Sequence, residues 1–115
     1  MPHRDWKFRI QDILDAVGAI QNYTQGLEFK TFTEDRRTVD AVVRNLIIIG
    51  EAAVHVPEYI CLKHPDVPWH DMRGMRNFVV HEYFQASDVV IWDTVQVDLP
   101  PLPTLLKKIL EENSE

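Results

Sequence analysis

Pro68-Trp69-His70-Asp71-Met72-Arg73-Gly74-Met75-Arg76-Asn77-Phe78-Val79-Val80-His81-Glu82-Tyr83-Phe84 is the stretch around which the chain is organised. Within it Arg76, His81 and Tyr83 form an R-x4-H-x-Y array. A fixed cation, a titratable imidazole and a phenol in so short a span suit phosphate chemistry. At about 100° per residue, Asn77 and His81 are i and i+4 and stack on one helix face. The long stem of Arg76 brings its guanidinium over the same face. Met75, Phe78, Val79 and Val80 take the other side, and the helix is expected to loosen near Glu82 so that Tyr83 swings back towards the imidazole.

Upstream, Trp6, Ile10, Ile13, Leu14, Val17 and Ile20 recur at three- and four-residue steps, which predicts an amphipathic helix from about Asp5 to Tyr23, ending near Gly26. Phe29 and Phe32 suit a short helical turn that closes the bundle end. Thr33-Glu34-Asp35 then offers a cap for the longest helix, from about Glu34 to His55 and stopping before Pro57. Its stripe of Val39, Val42, Val43, Leu46, Ile47, Gly50, Ala53 and Val54 is widened by Ile48 and Ile49 towards burial on all sides, which points to a partner subunit. Gly50, Ala52 and Ala53 are small enough to admit another helix closely. Glycine costs about 1 kcal/mol against alanine inside a helix, so close packing is the expected return.

Pro57 to His64 is expected to make one or two turns, and His64 to Pro68 a loop. After the central stretch, Ser87 is expected to cap a helix bearing Val89, Val90, Trp92 and Val95, interrupted by Pro100 and Pro101. A last helix from about Pro103 to Glu112 presents Leu105, Leu106, Ile109 and Leu110. These elements sum to one domain over 1–115, an all-α, antiparallel helical bundle of four to five main helices.

Composition sets limits on function. An apolar content of 45% with helical patterning belongs to a folded chain rather than a disordered one. No apolar run approaches the roughly 20 residues that span a bilayer, and no signal-type segment follows Met1, so a cytoplasmic location is expected. Cys61 is the single cysteine, so an intrachain disulfide and a paired-cysteine metal site are excluded. His3, His55, His64 and His70 make no metal-ligand pattern, and neither a metal nor a cofactor is expected. Trp69 and Trp92 are expected as core or interface anchors. The net charge of −6 suits a basic protein partner, and RNA contact would have to use a local basic patch of Arg44, Arg73 and Arg76.

Trp69 to Asn77, followed by Val80-His81-Glu82-Tyr83-Phe84, resembles the signature of HepT-like proteins, the toxin branch of the HEPN superfamily. Arg44-Asn45-Leu46-Ile47-Ile48-Ile49-Gly50-Glu51-Ala52-Ala53 is similar to the family's second block. The resemblance covers nearly the whole chain. It implies a metal-independent endoribonuclease toxin, a homodimer with a composite site at the dimer interface, and neutralisation by an MNT-type nucleotidyltransferase antitoxin that attaches AMP to Tyr83.

The residues themselves suit that chemistry. Cutting RNA through its 2′-hydroxyl requires a proton to be taken, a proton to be given and charge on phosphorus to be stabilised. An imidazole such as His81 does either proton task near neutral pH, and Arg76 grips phosphate oxygens. One imidazole is not acid and base at once, and a two-fold dimer would supply a second copy. Asn77 either orients His81, contacts phosphate or binds backbone. Glu82 either bonds an imidazole N–H or stands solvated, and Tyr83 is an accessory group, an AMP acceptor or a packed phenol. Two functional readings remain open: a ribonuclease toxin, and a non-catalytic helical binding module that docks and regulates a nucleotidyltransferase.

Overall fold

Two long apolar stripes close on each other to make the centre of the fold. The computed structural model describes residues 5–78 and 85–114. Helix α1 spans Trp6–Thr24 and, after the short α2 at Phe29–Glu34, helix α3 spans Arg36–Val54. Ile10, Ile13, Val17 and Ile20 of α1 meet Val39, Val42, Leu46 and Ile49 of α3, all with no solvent exposure. Burial of each such side chain is worth about 1.5–3 kcal/mol, more than any difference in helix propensity along the same stretch, so packing holds this pair.

The ends of these helices follow local chemistry. The Asp5 carboxylate accepts the Lys7 amide at 2.9 Å and starts α1. Beyond α1, Gly26 takes φ 78°, the left-handed conformation expected there. Thr33 and Glu34 fall within α2, and the α3 cap is Asp35 alone. Its carboxylate accepts the Thr38 hydroxyl at 2.7 Å and the Thr38 amide at 3.2 Å. These bonds favour the charged form and hold the Asp35 carboxyl below its ordinary range. Phe32 is fully buried beneath Trp92, ring centroids 5.0 Å apart, so α2 does close the bundle end.

After α3 come the single-turn helices α4 at Glu58–Lys63 and α5 at Trp69–Gly74. The indole N–H of Trp69 donates to the His64 carbonyl at 3.0 Å, which ties the proline-bounded connector to the start of α5. Helix α6 spans Gln85–Asp93 and runs into a wider π-helical turn, Thr94–Asp98, closed by the Leu99 amide on the Thr94 carbonyl at 3.0 Å. The Thr94 hydroxyl donates to the Val90 carbonyl at 2.8 Å, a competing bond that favours loosening of the helix at this point. Val95 and Leu99, four residues apart, both face the core. Helix α7 spans Leu102–Glu112 and buries Leu102, Leu106 and Ile109 against α1.

The chain is therefore all-α, a bundle of long helices with short ones at its end, and no strand occurs among the described residues. Among them, no helix is long and apolar enough to cross a membrane. Two expectations need correction. Ser87 lies inside α6 rather than capping it, because the helix already includes Gln85. Val89 and Val90 stay about half exposed, and Ile91 takes the core position, since Asp88 occupies the neighbouring inward place. Ile48 stands 37% exposed in the single chain, on the side where a partner subunit is expected.

Asp88 is only 5% exposed and is held by Arg36, whose guanidinium donates at 2.8 and 3.4 Å to its two carboxylate oxygens. This fork fixes α6 to the start of α3. Removing the cation strands a buried carboxylate, a loss of about 3–5 kcal/mol for a fully enclosed pair and less here because Arg36 is partly solvated. Urea unfolding of Arg36→Met should show a loss of about 1–3 kcal/mol. Adding Asp88→Asn should recover part of it.

Candidate active site on the turn after helix α5

Helix α5 ends at Gly74, and Met75–Asn77 continue as one tighter 3-10 turn. The chain then straightens: Phe78 has φ −64° and ψ 140°, and its amide closes the turn on the Met75 carbonyl at 3.2 Å. The helix expected to stack Asn77 under His81 is thus broken at Phe78, short of Glu82. The reason lies in packing. In a three-residue turn, side chains at i and i+3 eclipse, so Met75 and Phe78 both face the core while Arg76 and Asn77 face solvent.

The turn is held in place by a missing side chain. An ideal Cβ on Gly50 of α3 would fall on the Arg76 backbone nitrogen, 2.8 Å from Arg76 Cβ and 2.9 Å from its Cα. Only glycine lets the two backbones touch there. The sequence signal was the glycine inside the apolar stripe of α3. The approaching element is this short turn, not the further helix expected.

Of the residues singled out by sequence, Arg76 and Asn77 are placed side by side on the exposed edge of that turn. His81 and Tyr83 lie outside the described residues, as do Val79, Val80 and Glu82. Arg44 is exposed on α3, about 120° round the helix from Gly50. Among the described residues neither Arg44 nor Arg76 makes an ion pair, so both cations face water. Arg73 is otherwise engaged. Its guanidinium donates to Cys61 Sγ at 3.1 Å and lies 3.8 Å from Glu58. The expected patch of Arg44, Arg73 and Arg76 thereby loses its middle member to a contact within the fold.

Cys61 is not a nucleophile in waiting. Burial pushes its thiol up, outweighing the opposing field of Arg73, so little thiolate forms near neutral pH. His55 and His70 are exposed, whereas His64 is buried with Nε2 3.8 Å from Glu112. No group of three potential metal ligands comes together among the described residues.

Known proteins resemble the chain over most of its length. The model of the HepT-like ribonuclease family matches residues 13–109. A protein of Methanocaldococcus jannaschii named as an RNase is 34% identical over 97% of this chain and 93% of its own. One of Thermococcus cleftensis named as a ribonuclease HepT is 36% identical over 93% of this chain and 94% of its own. No solved structure matches the chain. The chain belongs to the HepT-like ribonuclease family, a class of RNA-cutting enzymes.

Alanine at position 50 must push the Arg76 backbone aside, so Gly50→Ala should lose about 1–3 kcal/mol in urea unfolding. Gly18 of α1 has nothing within 4 Å of its ideal Cβ, so Gly18→Ala should instead gain about 0.5–1 kcal/mol. Iodoacetamide at pH 8 should alkylate Cys61 in the folded protein at least about tenfold more slowly than in urea.

Proposed function

We propose that the chain is the toxin of a type VII-like toxin-antitoxin pair, a homodimeric endoribonuclease that needs no metal. The 2′-hydroxyl gives up its proton and its oxygen bonds to phosphorus. The bond to the 5′-oxygen breaks, and that oxygen takes a proton. The products are a 2′,3′-cyclic phosphate and a free 5′-hydroxyl. In this reading His81 moves the protons and Arg76 holds the phosphate oxygens as charge builds, with Asn77 beside it as a second contact. A second His81 from the partner subunit supplies the acid while the first is the base.

The observation that carries the reading is the seating of Arg76, with its backbone locked against Gly50 and its side chain left to solvent. A cation on a fixed backbone and with no ion-pair partner among the described residues suits electrostatic catalysis, which depends on groups already in place. Exposed Ile48, on the same helix as Gly50, supports a second copy as the cover for that side of α3. Neutralisation follows if an MNT-type nucleotidyltransferase joins AMP to the Tyr83 hydroxyl, since a bulky anion there would occupy Arg76 and repel RNA. The relatives named as ribonucleases support the RNA-cutting step.

The net charge of −6 favours a second reading, a binding module that docks and regulates a nucleotidyltransferase without cutting RNA. End-labelled RNA incubated in EDTA separates the two. The wild type should yield 2′,3′-cyclic ends, with Arg76→Ala and His81→Ala each slower by about 100-fold or more. No cleavage by any of the three would move the chain to the binding module, and equal cleavage by all three would remove Arg76 and His81 from the reaction. Full-rate cutting by a protein that sediments as a monomer at micromolar concentration would remove the shared cleft.

A further inference from the structure

The connector before α5, helix α5 itself, the π-helical turn after α6 and helix α7 converge on a groove of about 260 Å³. Its floor includes Met75 and Leu105, and Val97, 67% exposed, forms part of its wall. Asp66, Asp71 and Asp98 stand around it, all exposed. Its lining carries no Lys, Arg or His. Among the described residues, none of the three carboxylates takes part in an ion pair or a side-chain hydrogen bond. Two other clefts differ. The one between α1 and α7 sets Lys107 among its acids, and the one beside Gly26 is lined by uncharged residues.

We infer that this groove is an interaction surface for a basic, amphipathic segment of a partner protein, one that lays an apolar side chain on Met75 and Leu105 and sets Lys or Arg against Asp66, Asp71 and Asp98. Charge excludes RNA, which would meet three carboxylates and no cation. A second copy is assigned above to the side of α3 bearing Ile48, not to this acidic rim. The carboxylates do not gather as a metal-ligand group. The volume suits one or two side chains rather than a whole small-molecule ligand, whose pockets run from about 300 to 1,000 Å³. Met75 directly precedes Arg76, so the occupant touches the turn that seats the exposed cation. Binding here stands apart from the ribonuclease reading, and its test uses no RNA.

The probe is an end-blocked peptide, Gly-Lys-Leu-Arg-Leu-Lys-Gly, titrated into the 15N-labelled full chain. One control peptide replaces both leucines with glycine, and a second replaces the cationic residues with Glu. Saturable amide shifts are expected at Met75, Val97 and Leu105 with the first peptide and with neither control. The double variant Asp66→Asn/Asp98→Asn, which changes only exposed groups, should weaken binding about tenfold. Val97→Ser should weaken it about threefold. Absence of saturable binding, shifts centred elsewhere, equal affinity for the glycine peptide, or unchanged affinity in the double variant would each overturn the assignment.

Discussion

An atom that is not there decides how the exposed arginine is held. A Cβ at position 50 would clash with the Arg76 backbone nitrogen, so the turn after α5 rests directly on the backbone of α3. Helix α3 is itself fixed on its other flank by the buried aliphatic stripe it shares with α1. The rigidity of the core is in this way passed to a short turn of three residues, and from there to a guanidinium in water. A phosphate-binding cation on a free loop would lose much of its value to disorder, because electrostatic stabilisation depends on placement before the reaction begins.

The tightness of that contact also explains why the helix stops where it does. Met75 and Phe78 both need the core, and a three-residue turn satisfies both, whereas an ordinary helix would place them about 60° apart. Phe78 is extended and ends the turn. On the far side, the Arg36 fork on Asp88 fixes α6 to the start of α3. Both flanks of the segment bearing His81 and Tyr83 are thus tied to the same long helix.

Much of the fold was legible from spacing. The steps of Ile10, Ile13, Val17 and Ile20, and of Val39, Val42, Leu46 and Ile49, place both central helices, because burial at helical period is a strong local signal. Pro57, Pro68 and Gly26 mark boundaries for equally local reasons. What spacing could not supply was anything decided across the fold. Ile48 and Ile49 are chemically the same in sequence, and only the neighbours of α3 leave one exposed and the other enclosed. Ser87 looked like a cap, but the helix starts before it. Arg73 looked like part of a basic patch until Cys61 and Glu58, some twelve and fifteen positions earlier, were found to hold its guanidinium. At the candidate site, the glycine in the α3 stripe predicts a close approach, which the structure shows, but not that a short turn makes it. A glycine in an apolar stripe announces contact without naming its partner.

The most direct check on the account is a nuclear Overhauser spectrum of the folded chain in solution. The account requires a cross-peak between an α-proton of Gly50 and the amide proton of Arg76, residues far apart in sequence whose backbones meet only if the turn is seated on α3. A well-dispersed spectrum that lacks this cross-peak, while retaining those between α1 and α3, would contradict it.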